Sequence, residues 1–192
     1  MKKFLFLLIA FSLFAADACK KSKPIPKPVG YYRISLPQKQ YKHFGSDTCK
    51  FSFDYPVYAR IVPQSTKEHK CWMDIVFPSF NAKIYLTYYD VTGNLAQMID
   101  DSYTLVYKHT IRADDITQKD FVNPDKKVYA TLFDIKGNSA SSVQFHITDS
   151  TKHFIRGSLY FNNEPNSDSL APVIRFLRQD IVRFIESFSW ND

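Results

Sequence analysis

The chain has 192 residues, of which 45% are hydrophobic and 16% aromatic, and it contains five glycines. This composition excludes an intrinsically disordered chain, because disordered segments lack the apolar residues that build a core. The formal net charge of +6 comes from the first 33 residues, since residues 34–192 carry 18 Lys and Arg against 18 Asp and Glu. A neutral body does not support nucleic-acid binding, and about 160 residues suffice for one domain.

Residues 1–18 are predicted to be a signal peptide. Two lysines precede an apolar run over residues 4–16, which is shorter than the roughly 20 residues that a transmembrane helix needs. The last residue of the run, Ala16, begins the tripeptide ADA, which directly precedes Cys19. Small residues followed by cysteine form the site that lipoprotein signal peptidase cuts. We therefore predict lipid attachment at Cys19, with a free or structural thiol as the alternative.

Residues 19–33 are predicted to form a lipidated, basic, proline-rich tether. The segment carries five positive charges and no acid: Lys20, Lys21, Lys23, Lys27 and Arg33. This composition is typical of a solvated spacer of the polyproline type, and attraction to anionic lipid headgroups is the alternative. Two or three acyl chains on Cys19 would hold the protein on a membrane, because each buried CH₂ contributes about 0.8 kcal/mol.

Residues 49–89 are predicted to form strands, because their apolar side chains recur at every second position. Three prolines are expected at strand ends or edges: Pro56, Pro63 and Pro78. At Asn94 the spacing changes to the helical period, with one apolar face made of Leu95, Met98, Ile99, Ser102, Leu105 and Val106. We predict a helix that Asn94 caps and that ends near His109.

Strands are predicted again over residues 127–134, 141–148 and 154–161, with a turn at 136–138. A polar loop then leads to a long helix, with Asp168 or Ser169 as its cap and Pro172 in its first turn. Its apolar stripe consists of Val173, Phe176, Leu177, Ile181, Phe184, Ile185 and Phe188. This order predicts one globular α+β domain over residues 34–192, with a mainly antiparallel sheet flanked by helices and a long C-terminal helix.

Cys49 and Cys71 form an even pair of cysteines once Cys19 carries lipid. In an oxidising envelope compartment an even pair predicts a disulfide. Closing a loop of about 22 residues would add roughly 3 kcal/mol to the free energy of unfolding. Two alternatives stay open, namely free buried thiols and a zinc site that includes His43 and His69. The spacing does not match a zinc motif, so we predict no metal and no cofactor.

The stretch HITDSTKHFIRGSLYF, residues 146–161, places five candidate residues within eleven positions: His146, Asp149, Ser150, His153 and Arg156. It is either a catalytic group or a hairpin turn around Asp-Ser-Thr. Burying the apolar residues of both strands on one face requires an odd hairpin loop, and this register puts the two histidines on opposite faces. Ser150 also lacks the G-x-S-x-G turn of a hydrolase nucleophile. We therefore predict a turn and no catalytic residue.

Two aromatic and polar groups are candidates for binding. The first is the end of the predicted helix with the loop after it: Tyr103, Tyr107, Lys108, His109, Arg112, Asp114 and Asp115. This group is typical of a solvated surface, and a partner-contact patch is the alternative, because Tyr and Arg are enriched at interfaces. The second is a tyrosine-rich strand face: Lys83, Tyr85, Thr87 and Tyr89. It favours a small-ligand or glycan-binding module.

Three stretches resemble the GldD family of gliding-motility lipoproteins of Bacteroidota. They are PKPVGYYRISLP after the tether, YKHTIRADDI, and GNSASSVQFHITDSTKHFIRGSLYFNNEPNSDSLAPV. The resemblance covers residues 26–190 and is most specific over residues 137–172. It implies a lipoprotein required for gliding and for protein export by the type IX secretion system, without an assigned catalytic activity. Cys19 is the functional residue that carries over.

The resemblance has three further implications. Surface-exported lipoproteins of that phylum usually carry acids after the lipidated cysteine, so Lys20 and Lys21 favour a periplasm-facing anchor. The tripeptides around Ser150 and Ser169 resemble the O-glycosylation sequon of the phylum. The order of strands and helices resembles the PsbP/Mog1-type α/β/α sandwich, whose members mostly act as assembly or binding factors.

The sequence therefore favours a non-enzymatic, membrane-anchored lipoprotein of the cell envelope, whose partners are other proteins of the gliding and secretion machinery. The second hypothesis is a periplasmic lipoprotein that binds a small ligand or a glycan. The third is an envelope hydrolase, which a cluster of side chains with strongly shifted pKa values would support.

Overall fold

The computed structural model describes residues 34–64, 66, 70–163 and 166–191. The predicted signal peptide, Cys19 and the tether lie outside the described residues. The strands, in chain order, are β1 Tyr41–Phe44, β2 Phe51–Pro56, β3 Arg60–Pro63, β4 Met73–Phe77, β5 Ala82–Asp90, β6 Ala113–Asn123, β7 Val128–Gly137, β8 Ser141–Thr148, β9 His153–Phe161 and β10 Ser189–Trp190. The helices are α1 Leu95–Tyr107 and α2 Ser167–Ser187, with 3₁₀ turns at Pro78–Phe80 and Lys108–Ile111.

The described strands form two sheets. The larger has seven strands in the order β3-β4-β5-β9-β8-β7-β6, and the smaller has three in the order β1-β2-β10. Neighbouring strands are antiparallel throughout. The predicted α+β class, with a mainly antiparallel sheet and a long C-terminal helix, is confirmed.

Helix α2 and the small sheet cover one face of the large sheet. The apolar stripe of α2 buries Leu177 and Ile181 completely, and Phe184 lies 5.5 Å from the Phe145 ring of β8 and 4.3 Å from the Phe53 ring of β2, measured between ring centroids. Full burial of one such side chain contributes about 1.5–3 kcal/mol to the free energy of unfolding. This face therefore holds the main hydrophobic core.

Helix α1 packs on the opposite face, where Val106 forms a smaller buried cluster with Phe133 and Ile135 of β7. A helix is about 10 Å wide, whereas seven strands about 4.8 Å apart span about 30 Å. One helix cannot cover that width. The part of this face over β4, β5 and the end of β9 consequently lies open, and Tyr85 is 42% exposed there.

A disulfide joins Cys49, just before β2, to Cys71, just before β4. It links the small sheet to the large one across 22 residues of sequence, with the two Cα atoms 5.5 Å apart. Both cysteines are buried in the main core. A loop of this length corresponds to about 3 kcal/mol of stabilisation in the chain-entropy account.

Strand β6 differs from the prediction. Residues 113–115, predicted to be loop, belong to this edge strand, which was not expected because most of its side chains are exposed and polar. The predicted turn at 136–138 begins later, since β7 continues to Gly137, where φ is +100°. The short strands β1 and β10 were also not predicted, because four and two residues are too few for a period to show.

The caps at the beginning of the two helices also differ from the prediction. Asn94 precedes α1, but its side chain makes no capping bond and accepts the N–H of Thr92 instead at 3.0 Å. Helix α2 begins at Ser167, capped by the Asn166 side chain, which accepts the N–H of Ser169 at 3.1 Å. Pro172 therefore lies in the second turn of α2 and not in the first.

Gly157 of β9 gives Phe145 the space for its ring. A Cβ atom at position 157 would lie 2.1 Å from Cζ of Phe145, which is far inside van der Waals contact. We predict that Gly157→Ala lowers the free energy of unfolding by about 1–3 kcal/mol, because overpacking forces side chains out of their rotamers. Urea denaturation measures the change.

The matched control is Gly45→Ala, because the nearest atom to a Cβ at position 45 is 3.7 Å away. This substitution should change the free energy of unfolding by less than about 0.5 kcal/mol. Equal effects of the two substitutions would contradict the packing assigned to Phe145.

Candidate functional site

The hairpin between β8 and β9 separates the two histidines, as predicted. His146 pairs with Arg156 and Ile147 with Ile155, so His146 points toward α1 while His153 points to the α2 face. Ser150 occupies the turn at a φ of +69°, and its N–H donates to the Thr148 hydroxyl at 3.0 Å. The two histidines therefore lie on opposite faces of the sheet and cannot act together on one substrate.

Asp149 is committed to the turn. Its carboxylate accepts the Thr151 hydroxyl at 2.7 Å and the backbone N–H groups of Thr151, Lys152 and His153 at 2.8–3.0 Å. Burial alone would raise the pKa of Asp149, but these hydrogen bonds outweigh burial and lower the pKa to about 2. A carboxylate held in this way stabilises a loop and is not free to accept a substrate proton.

His146 is buried between α1 and the sheet. Its ring stacks on Phe154 at 5.6 Å and lies 6.1 Å from Phe133 and 6.3 Å from Tyr103, measured between centroids. The Nδ1 atom has no hydrogen-bond partner in the described part of the chain. Burial lowers the pKa of His146 to about 4, against a smaller opposing attraction to Asp120. The side chain packs as a neutral aromatic ring.

Both candidate glycosylation residues are exposed. Ser150 lies at the tip of the β8–β9 turn, and Ser169 lies in the first turn of α2. Ser169 was expected in a loop, but the earlier start of α2 places it in a helix. Modification at either position stays a prediction from the resemblance.

Cys49 and Cys71 form a disulfide, so they are not available as thiolate ligands for the alternative zinc site. His69 lies outside the described residues. Within the described ranges there is no group of three or more His, Cys, Asp or Glu side chains that could hold a metal ion.

The residues around the end of α1 form an exposed surface. Tyr103 and Tyr107 lie on successive turns with their ring centroids 6.4 Å apart, and Tyr107 is 48% exposed. His109 accepts or donates a hydrogen bond at Nδ1 with the Ser139 hydroxyl at 3.0 Å. Ile111 is 91% exposed. Asp115 pairs with Lys136 of β7 at 2.8 Å, which agrees with the interpretation as a solvated surface.

The uncovered part of the large sheet is the strongest candidate for a binding site. We call it the open face and define it by residues whose side chains project from the sheet on the α1 side: Arg60, Asp74, Lys83, Tyr85, Thr87, Arg156, Ser158 and Tyr160. The sequence predicted the contribution of β5 to this face. The contribution of β9 was missed, because residues 156–160 become neighbours of β5 through a pairing distant in sequence.

Two tyrosines form the centre of the open face. Tyr85 of β5 and Tyr160 of β9 meet edge to face with their ring centroids 5.4 Å apart. Burial raises the pKa of Tyr160, so its hydroxyl stays protonated and can donate a hydrogen bond at neutral pH. The pair lines a hollow of ≈ 510 Å³ that also contacts Asn81 and Asn162, and a second hollow of ≈ 380 Å³. Volumes of this size accommodate small ligands or side chains.

Charged groups surround the tyrosine pair. The Lys83 ammonium lies 4.1 Å from the Tyr85 ring centroid and 3.3 Å from an Asp74 carboxylate oxygen. Asp74 is 4% exposed and also accepts the Gln64 amide at 3.3 Å. Lys83 and Asp74 thus neutralise each other. Arg156 has no such counter-ion within the described ranges.

A second charged cluster lies on the α2 side, and its key residue was not predicted. Asp180, 2% exposed, accepts the Lys39 ammonium at 2.6 Å, the Tyr41 hydroxyl at 2.9 Å and the Tyr58 hydroxyl at 2.6 Å. Lys39 also donates to the Phe176 carbonyl at 2.7 Å. We call these residues the Asp180 cluster. Asp180 is an acidic residue within the apolar stripe of α2. This interruption of the stripe was the feature of the sequence that could have indicated a buried charged cluster.

The Asp180 cluster is structural in character. Burial lowers the pKa of Lys39, opposed by the hydrogen bond to Asp180. Burial and the same carboxylate raise the pKa of Tyr41 to about 12. These groups satisfy one another and hold the segment before β1 against α2. They leave no unpaired group for a ligand.

The fold and the site define an α+β protein with an accessible aromatic sheet face, and comparison with known families agrees with the resemblance. The family described as "Gliding motility lipoprotein GldD" matches residues 21–190. The chain therefore belongs to this family of gliding-motility lipoproteins, which places it at a membrane of the cell envelope. Among the described residues, no helix combines the length and the apolar composition needed to cross a bilayer.

A solved structure similar to this chain is the solution structure of a cyanobacterial PsbP from Synechocystis. The two share 8% sequence identity with a TM-score of 0.47, over 83% of this chain and 97% of that one. A comparison with curated protein sequences gave no match.

Because His146 is buried as a neutral ring, we predict that the free energy of unfolding depends on pH. Between about pH 6.5 and pH 4 the unfolded chain binds more protons at this residue than the folded chain, so stability falls as the pH is lowered through this window. A shift of this size corresponds to about 3 kcal/mol. His146→Phe should remove this part of the pH dependence, as urea denaturation at neutral and acidic pH will show. Parallel pH profiles for the variant and the wild type would contradict the assignment.

Proposed function

We propose that this protein is a non-enzymatic lipoprotein that binds partner proteins of the gliding and type IX secretion machinery through its open face. Lipid on Cys19 holds it at the membrane, facing the periplasm. Family membership supports the association with gliding, and the absence of acids after Cys19 supports the orientation. A disulfide agrees with an oxidising compartment.

The observation that carries this proposal is the uncovered tyrosine pair. Tyr85 and Tyr160 lie on a sheet face that α1 covers only in part, and Arg156 lies beside them. Tyr and Arg are enriched at protein interfaces, and a tyrosine buries a large contact area with few rotatable bonds. A broad, shallow face suits the surface of another protein.

The hairpin histidines support a role without catalysis. His146 is buried as a neutral ring, and His153 lies on the other face with its Nδ1 atom 2.8 Å from the Tyr88 hydroxyl. Asp149 is occupied by four hydrogen bonds. His146, His153 and Asp149 thus have structural roles in the hairpin.

A small-ligand or glycan-binding function is the second candidate. The hollow of ≈ 510 Å³ combines the tyrosine pair with the side chains of Asn81 and Asn162. Aromatic rings beside amides are a suitable lining for a sugar, which presents apolar C–H faces and hydroxyl groups. Binding of a soluble glycan that protects Tyr85, without any protein partner at this face, would favour this candidate.

The interface is tested by photo-crosslinking in cells. A photoreactive phenylalanine analogue at position 85 should capture a protein of the gliding or secretion machinery, because Tyr85 lies at the centre of the open face. The matched control is position 107, since Tyr107 is exposed to 48% against 42% for Tyr85 and lies at the end of α1. Capture by position 107 and not by position 85 would move the interface to the α1 end.

The anchor is tested by Cys19→Ala. We expect the variant to leave the membrane fraction and to lose both colony spreading and type IX export, because each acyl chain adds substantial membrane affinity. Ser150→Ala serves as the comparison and should retain both activities. Full activity of a soluble Cys19→Ala protein would contradict the role of the anchor, and loss of activity in a stable Ser150→Ala protein would favour an enzyme.

A further inference from the structure

A small side chain creates a hollow in the centre of the open face. Ser158 lies opposite Tyr85 in the β5–β9 register, and Arg156 and Tyr160 are its neighbours on the same side of β9. Because Ser158 is much smaller than these three side chains, they form the walls of the hollow of ≈ 380 Å³. The guanidinium of Arg156 is close enough to Tyr160 to favour its ionised form.

Arg156 and Arg60 differ from several other cations of this domain. Those cations have a carboxylate partner within 2.6–3.3 Å: Lys39 with Asp180, Lys83 with Asp74, Lys136 with Asp115, Arg178 with Asp134 and Arg183 with Asp54. Arg156 has neither an ion pair nor a side-chain hydrogen bond with any described residue, although it is partly buried. A partly buried guanidinium retains five donors that an incoming acceptor can use.

The charge of the open face points to an acidic partner. Arg60, Lys83 and Arg156 supply three positive charges, and Asp74 supplies one negative charge that Lys83 already neutralises. The remaining two cations, Arg60 and Arg156, lie on either side of the tyrosine pair. A complementary surface would present carboxylates at both positions and apolar contact between them.

We propose that the open face binds an acidic segment of a partner protein, and that one carboxylate of this segment occupies the hollow over Ser158 and pairs with Arg156. Arg binds carboxylates through two parallel N–H···O bonds, which fixes the orientation of the bound group. The Tyr160 hydroxyl can donate a further hydrogen bond to the same carboxylate, and Tyr85 packs against the aliphatic part of the segment. This inference rests on the proposed function, because it names the chemistry of the partner at that site.

A protein segment fits these features better than a nucleic acid. Residues 34–192 are neutral overall, so the two cations form a local patch without the extended positive surface that phosphate backbones need. The patch is flanked by tyrosine rings and is broader than one anionic group. Its chemistry matches an Asp or Glu side chain, or a C-terminal carboxylate, within a polypeptide.

The test is zero-length crosslinking with a carbodiimide in intact cells that produce the full-length lipoprotein. The reagent joins a lysine amine to a carboxylate in direct contact, and arginine does not react. Arg156→Lys places an amine at the proposed site and retains the positive charge. We expect mass spectrometry to find a crosslink between position 156 and a carboxylate of another protein. The peptide that is joined distinguishes an Asp or Glu side chain from a chain terminus.

The protein contains its own controls for this reaction. Lys136 and Asp115 are 2.8 Å apart and both exposed, so their crosslink within the chain shows that the reagent has reached the domain. Arg175→Lys is the matched variant, because Arg175 is exposed on α2 and donates to the carbonyl of Ala171 on its own helix. It should give no crosslink to the partner joined at position 156.

A second variant removes the charge without a new amine. Arg156→Gln should reduce photo-crosslinking from position 85 by about tenfold or more, the usual size of a charge-assisted hydrogen bond. If position 85 captures a partner, but Arg156→Gln leaves capture unchanged and position 156 joins no carboxylate, the acidic-segment proposal is wrong and the proposed function stands. If position 85 captures no protein, the proposed function itself fails.

Discussion

The packing of α2 across the large sheet is the constraint on which the rest of the structure depends. Its apolar stripe and the aromatic residues of β2 cover one face of the sheet, so the inward-facing residues of β4, β5, β8 and β9 are mostly apolar, with His153 as an exception. Gly157 shows how closely this layer is packed, because the Phe145 ring occupies the space of its absent side chain. The strand alternation visible in the sequence follows from this single burial requirement.

The same constraint determines where the protein can interact. With one face filled, the outward-facing residues of the sheet have only α1 to cover them, and α1 is too narrow. The half beneath α1 contains a small apolar cluster and the buried ring of His146, whereas the other half carries the tyrosine pair. This exposed aromatic pair is the observation behind our proposal that a partner protein completes the missing layer.

Much of the fold could be predicted from the sequence, because a buried face imposes a clear period. The stripe of α2, the β8–β9 register and the prolines at strand ends are examples. Strand β6 could not be predicted, because an edge strand in solvent needs no apolar alternation. The open face was predicted only for β5. Its second half requires the β5–β9 pairing, which joins residues about 70 positions apart and leaves no local signal.

The Asp180 cluster determines how a pull on the amino-terminal end would reach the domain. The chain enters the described structure at Ile34 and is fastened at Lys39 to the middle of α2, the most deeply buried helix. Tension from a membrane anchor would therefore act on a partly buried ion pair and on a helix whose apolar stripe lies in the core, before it could separate β1 from β2. Such an attachment would pass tension into the core of the domain, which agrees with membership of a gliding-motility family.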